Sequence, residues 1–373
     1  MSREVAGAGF LQAIVFSLAV GLSGCSSFGP RTVPTDKFDY NGAIAESQQQ
    51  ELLLNLVRLR YREPPVFLKV SSVISQYSLS AATTVGGGIN TGLTGNDTAN
   101  VGGRVGWSDR PVITYTPVSG QEFSRNLLTP LQLRAIFTLF RSGWSPELVF
   151  RTSTMSFNGL DNDRARLSSR QQGDPKLFEL LAIWQQLRAD EVMDVTWRDE
   201  SGAEGEVVLF VNSDKAGAHA GELARFRELL GLSAEVEQYL IVSGFLPRSQ
   251  DEIAITTGSL WDIMLNLAWQ FEVPAEDVSS GKTGPTFRSE QFDGRPPIRI
   301  LNSKEEPANA YASAFTAGRW FYIENTDMAS KQAFSFLQLL LSLAETATQD
   351  RAPILTISNR SLSQSLQLFH HWF

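Results

Sequence analysis

Few residues of this 373-residue chain have the type and spacing to do chemistry. Its three histidines, His219, His370 and His371, supply no spacing that sets several metal ligands on one face, so no zinc site is predicted. Asp190, Glu191 and Asp194 bring three carboxylates close in sequence. They fall between a predicted helix and a predicted strand, where a solvated edge is expected in place of a general acid–base pair. Ser330-Lys331 sets a hydroxyl beside an amine, but adjacent helical residues point about 100° apart and do not face each other. A capping role in a first helical turn is expected there. Gly86-Gly87-Gly88 lacks the lysine and the following helix of a phosphate-binding loop, and no Gly-x-Ser-x-Gly elbow occurs. What is left is the one thiol, Cys25.

The residues before Cys25 say what that thiol is for. A polar start containing Arg3 and Glu4 leads into a run from Ala6 to Leu22 that is apolar or small, broken by single polar residues such as Gln12 and Ser17. The run is short for a transmembrane helix, which needs about 20 apolar residues. A positive start, a short apolar core and small residues at a cut site are the marks of an export signal. The run ends in Leu22-Ser23-Gly24-Cys25, which looks like the bacterial lipobox: an apolar residue, two small residues that fit the signal peptidase, and the cysteine whose thiol receives a diacylglyceryl group. The resemblance implies a lipoprotein with a signal peptide over 1–24, a palmitate-type anchor on Cys25 and a lipidated tether over 25–39, in which Gly29, Pro30 and Pro34 fall. In enteric bacteria an aspartate directly after the cysteine tends to hold a lipoprotein in the inner membrane. Ser26 therefore implies, by the same resemblance, the outer membrane, with the body facing the periplasm.

Composition agrees with a soluble body in the cell envelope. One cysteine allows no internal disulfide, so the fold must rest on its core. The chain is 42% hydrophobic and 19% charged, with a net charge of −8. No basic cluster exists to neutralise phosphates, which argues against a nucleic-acid partner, and the acidic balance argues against adhesion to anionic headgroups. No cofactor is predicted.

The elements read as α+β, with mixed helices and short antiparallel sheets. A helix is predicted over residues 44–61, with Leu52, Leu53, Leu56, Val57 and Leu59 on an apolar face and Arg58, Arg60 and Arg62 at the end where cations suit the helix dipole. Pro64 and Pro65 stop it. Alternation from Val66 predicts a strand that could run past Tyr77. Thr129-Pro130 predicts the cap and first turn of a helix closing at Gly143. Beyond it come a strand near 147–157, a helix over 174–189, a hairpin of 192–197 with 206–211, and helices over 219–230 and 258–272. A loop over 275–296 precedes strands over 298–301, 311–316 and 319–324, a helix over 327–347 and a last strand over 354–357. The regions are drawn as 40–150 and a C-terminal α+β domain over 151–373.

Residues 80–108 stand apart in being rich in glycine, serine, threonine, asparagine and alanine. Val85, Ile89 and Leu93 share one parity, as do Val101, Val105 and Trp107, with small or polar residues between them. This is the period of a hairpin over 83–107 with one apolar and one polar face. Its arms are about the 9–11 residues that a membrane-crossing strand needs. Two readings stay open: several subunits donating one hairpin each to a shared barrel, or a mobile glycine-rich loop or periplasmic hairpin outside the membrane.

Trp320-Phe321-Tyr322-Ile323, then Ser330-Lys331 and Phe334, then Pro353-Ile354-Leu355-Thr356-Ile357 are similar to the C-terminal half of a group of uncharacterised proteobacterial lipoproteins. Asp251-Glu252-Ile253 and Val273-Pro274 fit the same group. Its members more often carry an aspartate-rich turn where this chain has Glu324-Asn325-Thr326-Asp327, and the resemblance implies no activity. The expectation is a membrane-anchored, non-enzymatic structural or assembly component of an outer-membrane complex, as a homo-oligomer or with envelope partners. The rival is a periplasmic enzyme or ligand-binding lipoprotein whose site is assembled from distant residues.

Overall fold

The computed structural model describes residues 33–74, 77–88, 98–109, 112–165, 170–198, 206–292 and 294–346. Cys25, Ile89, Leu93, the strand predicted over 354–357, His370 and His371 lie outside the described residues. The fold is α+β, as the sequence patterning predicts. Internal contacts divide the chain into two units, one holding the residues up to Pro65 with Pro130–Leu341, the other Val66–Thr129 with the chain from Ser342.

The first unit begins with α1 (Val33–Arg60), a 28-residue helix. It starts earlier than periodicity predicts and takes in residues 33–39 of the supposed tether. Pro34 does not prevent this, because a proline in the first turn removes only a donor that has no helical partner. The exposed first part of α1 carries Gly42, where an added Cβ would meet nothing within 4 Å. The last part buries Leu52, Leu53, Leu56, Val57 and Leu59. Helix α2 (Gly120–Leu128) of the second unit, which the sequence reading lacks, comes before Thr129. Thr129-Pro130 does not start a helix: Pro130 bridges Ser259, the Leu131 N–H donates to the Gly258 carbonyl, and α3 (Leu133–Arg141) begins later.

The strand predicted near 147–157 is half helix. Ser145 caps α4 (Pro146–Ser153) by accepting from the Leu148 N–H at 3.2 Å, with Pro146 and Glu147 in the first turn, so only β5 (Thr154–Phe157) is extended. Asn162, fully buried, donates to the carbonyls of Phe150, Arg151 and Thr154 and so ties the loop after β5 to the end of α4. Short strands β6 (Leu160–Asp161), β7 (Arg164–Ala165) and β8 (Arg170–Gln171) lead to α5 (Pro175–Ala189), capped by Asp174. The hairpin of β9 (Met193–Arg198) and β10 (Glu206–Val211) forms where predicted, followed by α6 (Ala220–Leu230).

Strands β11 (Gln238–Ser243) and β12 (Glu252–Thr257) complete a six-stranded sheet of order β6-β5-β12-β11-β10-β9. Its β11–β12 pair is parallel and the other pairs for which register is set are antiparallel. Helix α7 (Leu260–Gln270) opens on a capping box of Ser259 and Asp262. A short helix, α8 (Ala275–Ser279), interrupts the predicted loop. A three-stranded antiparallel sheet of order β13-β15-β14 follows, from β13 (Leu301–Ser303), β14 (Ala310–Thr316) and β15 (Arg319–Glu324), and then α9 (Met328–Thr346).

The core centres on Trp184 of α5. Its ring stacks on Phe150 at 4.9 Å, and Phe137, Phe140, Phe157 and Phe226 surround it, which brings α3, α4, α6 and β5 onto one side chain. Such ring pairs contribute about 0.5–1.5 kcal/mol each beyond the area they bury.

In the second unit β1 (Leu68–Ile74) pairs antiparallel with β4 (Val112–Pro117), and β2 (Tyr77–Gly88) with β3 (Thr98–Asp109). Going from Ile74 to Tyr77 moves the partner back by the same three positions, from Val112 to Asp109, so the two ladders share one register.

Leu340 of α9 is 1% exposed. Leu340→Ala is expected to cost about 2–5 kcal/mol, read as a lower midpoint in thermal or urea unfolding; an unchanged midpoint would remove this side chain from the core.

Candidate functional site

The sequence-predicted residues are not brought together. His219 lies 3.6 Å from the Asp190 carboxylate at the end of α5. Glu191 is bound to Lys215, which holds its carboxyl below the usual range, and Asp194 accepts from the Val195 N–H. Ser330 and Lys331 serve separate partners. The Ser330 hydroxyl donates to Asp327 at 2.8 Å and accepts from the Arg299 N–H at 2.8 Å, while Lys331 Nζ donates to the carbonyl and side chain of Asn325. No group of three or more His, Cys, Asp or Glu among the described residues could hold a metal ion.

The densest polar construction lies instead at the end of α1. Arg60 is fully buried, one turn beyond Leu56 and two beyond Leu53 on the buried face of the helix. Its guanidinium lies 4.7 Å from the centroid of the Trp269 ring on α7 and 5.9 Å from that of Phe271. Nη1 donates to the Thr283 hydroxyl at 2.7 Å, and Nη2 donates to the Gly284 carbonyl at 3.0 Å and the Thr286 hydroxyl at 3.2 Å. Thr283 in turn donates to the Arg60 carbonyl at 2.6 Å. Nε has no hydrogen-bond partner. Each acceptor is neutral, so the charge is held by dipoles and by the indole face.

Two further guanidiniums approach the same indole, Arg170 at 4.3 Å and Arg62 at 5.8 Å. Burial, then repulsion from Arg170, pushes the Arg60 pKa down to about 10; burial and Arg62 lower that of Arg170. Even so lowered, Arg60 remains a cation near neutrality. Gly284 makes the approach feasible, since a Cβ there would lie 2.5 Å from Arg170 Nη2 and 3.0 Å from the indole.

Tyr61, the next residue, makes a second attachment. Its hydroxyl donates to Asp277 of α8 at 2.7 Å, and Lys282 donates to the other oxygen of that carboxylate at 2.8 Å. Burial raises the Asp277 pKa, but the bonds from Lys282 and Tyr61 and the field of Lys282 and Arg319 outweigh it, leaving the group below its ordinary value. The Tyr61 hydroxyl is pushed up by burial and by this bond.

A pocket of about 530 Å³ lies alongside, with Phe271, Thr286, Arg288, Arg295, Arg299 and Asp327 among its lining residues. Each arginine has a carboxylate: Arg288 with Glu272, Arg295 with Asp327 at 3.8 Å, and Arg299 with Glu324 at 3.8 Å. Burial would raise the Asp327 pKa, yet the backbone and side-chain bonds from Ser330 and the nearby Arg295 and Arg299 bring it below the ordinary value. Among the described lining residues the one hydroxyl is that of Thr286, which donates to the Phe271 carbonyl and accepts from Arg60, and the paired guanidiniums over an apolar floor are groups that bind.

Sequence reading places Arg60 at the C-terminal end of a helix, as a complement to the dipole. The signal that finds it is its spacing of four and seven from Leu56 and Leu53, which puts it on the buried face. No protein family, curated protein or solved structure matches the chain.

Two expectations follow from these attachments. Arg60→Lys keeps the charge but loses the fork that reaches three acceptors, so it should cost at least about 1.5–3 kcal/mol, the worth of one charged hydrogen bond, in denaturant unfolding; equal stability would show that the fork is not needed. Because the folded pKa of Asp277 is depressed, its contribution is complete above the unfolded value of about 3.9 and is lost as pH falls through the folded value. The gap in midpoint between wild type and Asp277→Asn should therefore be wide at neutral pH and close in acid, and a gap independent of pH would contradict the assignment.

Proposed function

We propose that this chain is a lipid-anchored protein of the bacterial envelope, held to the outer membrane through Cys25, and that its body is a non-enzymatic structural or assembly component facing the periplasm. The observation that carries the reading is the apolar run Ala6–Leu22 ending in Leu22-Ser23-Gly24-Cys25, because that combination is what export followed by acylation requires. Acylation at more than one position is what makes such an anchor stable, since a single chain gives only marginal binding at about 0.8 kcal/mol per buried methylene. No helix among the described residues is long and apolar enough to cross a membrane.

Two further features support an assembly role over an enzymatic one. The polar groups with unusual surroundings, Arg60, Tyr61 and Asp277, are engaged in holding α1 to α7 and α8. The pocket offers cations already paired with carboxylates. From Cys25 to Val33, where α1 begins, is eight residues, a reach of at most about 28 Å. In this reading the start of α1 stays within that reach of the leaflet that holds the acyl chains.

In cells fed labelled palmitate, the wild-type chain should take up label and Cys25→Ser should not, and the variant should accumulate as unprocessed precursor or as a soluble periplasmic form. Label retained by Cys25→Ser would defeat the anchor.

A further inference from the structure

We infer that the β2–β3 ribbon is one chain's share of a β-barrel that further copies of the same chain close across the outer membrane, an inference that rests on the lipid-anchored reading above. Among the described residues β2 and β3 pair only with each other. A two-stranded ribbon is marginal alone, and each strand offers a second row of backbone donors and acceptors. Proteins that keep such edges free protect them with charges or proline. Strand β2 has neither, and β3 has only Arg104 and Asp109.

The dimensions fit a bilayer. Both strands are 12 residues long, and a tilted membrane-crossing strand needs about 9–11. The register adds what the sequence could not supply: it sets Leu79 opposite Trp107, Ala81 opposite Val105 and Val85 opposite Val101, while Ser78 meets Ser108, Thr84 meets Gly102 and Gly86 meets Asn100. The apolar residues of one arm therefore fall opposite those of the other at three rungs of one parity, with Thr83 opposite Gly103 between them and Tyr77 opposite Asp109 at the end of the ladder. A one-residue slip would have mixed them.

The occupant of the open edges is a second copy because of strand direction. Since β2 and β3 are antiparallel, β3 of one copy can lie antiparallel to β2 of the next, and the same contact repeats until the ring closes. Each copy adds two strands, giving the even count of an outer-membrane barrel, and closure leaves no backbone group unpaired in lipid. In that ring positions 85, 101 and 105 share the face of the ladder assigned to lipid, with position 107 at its end toward an interface, and positions 84, 100 and 104 share the face assigned to the lumen.

The test uses the full-length lipidated protein. Native mass spectrometry in detergent should give a ring of fixed copy number. Single substitutions Thr84→Cys, Val85→Cys, Asn100→Cys and Val101→Cys, labelled in intact outer membranes, should react with a lipid-soluble maleimide at 85 and 101 and with a charged one at 84 and 100. Val85→Lys with Val101→Lys should lose the ring, and Thr84→Lys with Asn100→Lys should keep it, with the unfolding midpoint of the body unchanged in both. A palmitate-labelled monomer, a complex joining the chain only to a different protein, or equal reaction with the charged reagent at all four positions overturns the barrel while leaving the anchor standing. A ring without palmitate overturns the anchor and leaves the barrel.

Discussion

A buried guanidinium with no carboxylate beside it is the constraint around which the first unit is arranged. Taking a charge out of water is costly, and Arg60 offsets that cost with three neutral acceptors and the face of Trp269, a contact of about 2 kcal/mol when desolvated. Those acceptors sit on Thr283, Gly284 and Thr286, more than 220 residues away, so the placement of the segment after α8 is tied to that of α1. Fixing that segment also fixes the Phe287 N–H on the Trp269 carbonyl and the floor of the neighbouring pocket. A neutral side chain of similar size would avoid the charge cost but would leave the Gly284 carbonyl and two hydroxyls needing new donors.

How far the sequence discloses this depends on whether the interaction is local. Asp174-Pro175 announces α5, Ser259 with Asp262 announces α7, and the alternation of Val192–Trp197 with Glu206–Val211 announces β9 and β10, because caps and hairpins are satisfied within a few residues. Helix α4 was hidden by Val149, Phe150 and Thr152, residue types that favour strands, and only the Ser145 cap outvotes them. Strands β11 and β12 were missed altogether. Both are short, and residues 244–251 join a parallel pair with less chain than the usual crossover uses.

The site was less legible than the fold for the same reason. Single-residue chemistry at Asp190, Glu191, Ser330 and Lys331 could be weighed from neighbours alone, and each of these side chains indeed has nearby partners of its own. The arrangement about Trp269 draws on residues 60, 62, 170 and 283–286, which no spacing rule connects. Pairing among β2 and β3 lies between these cases: alternation suggests two arms, but only the ladder says which residue of one meets which residue of the other.

Helix α1 is about 42 Å long at 1.5 Å per residue, and only its last part is buried. Its more exposed part contains Gly42, a residue that costs about 0.5–1 kcal/mol in a helix interior relative to alanine and that no steric demand explains, since an added Cβ would meet nothing. What glycine supplies there is backbone freedom at the cost of helix propensity, in a stretch far along the helix from the buried end that carries Arg60 and Tyr61.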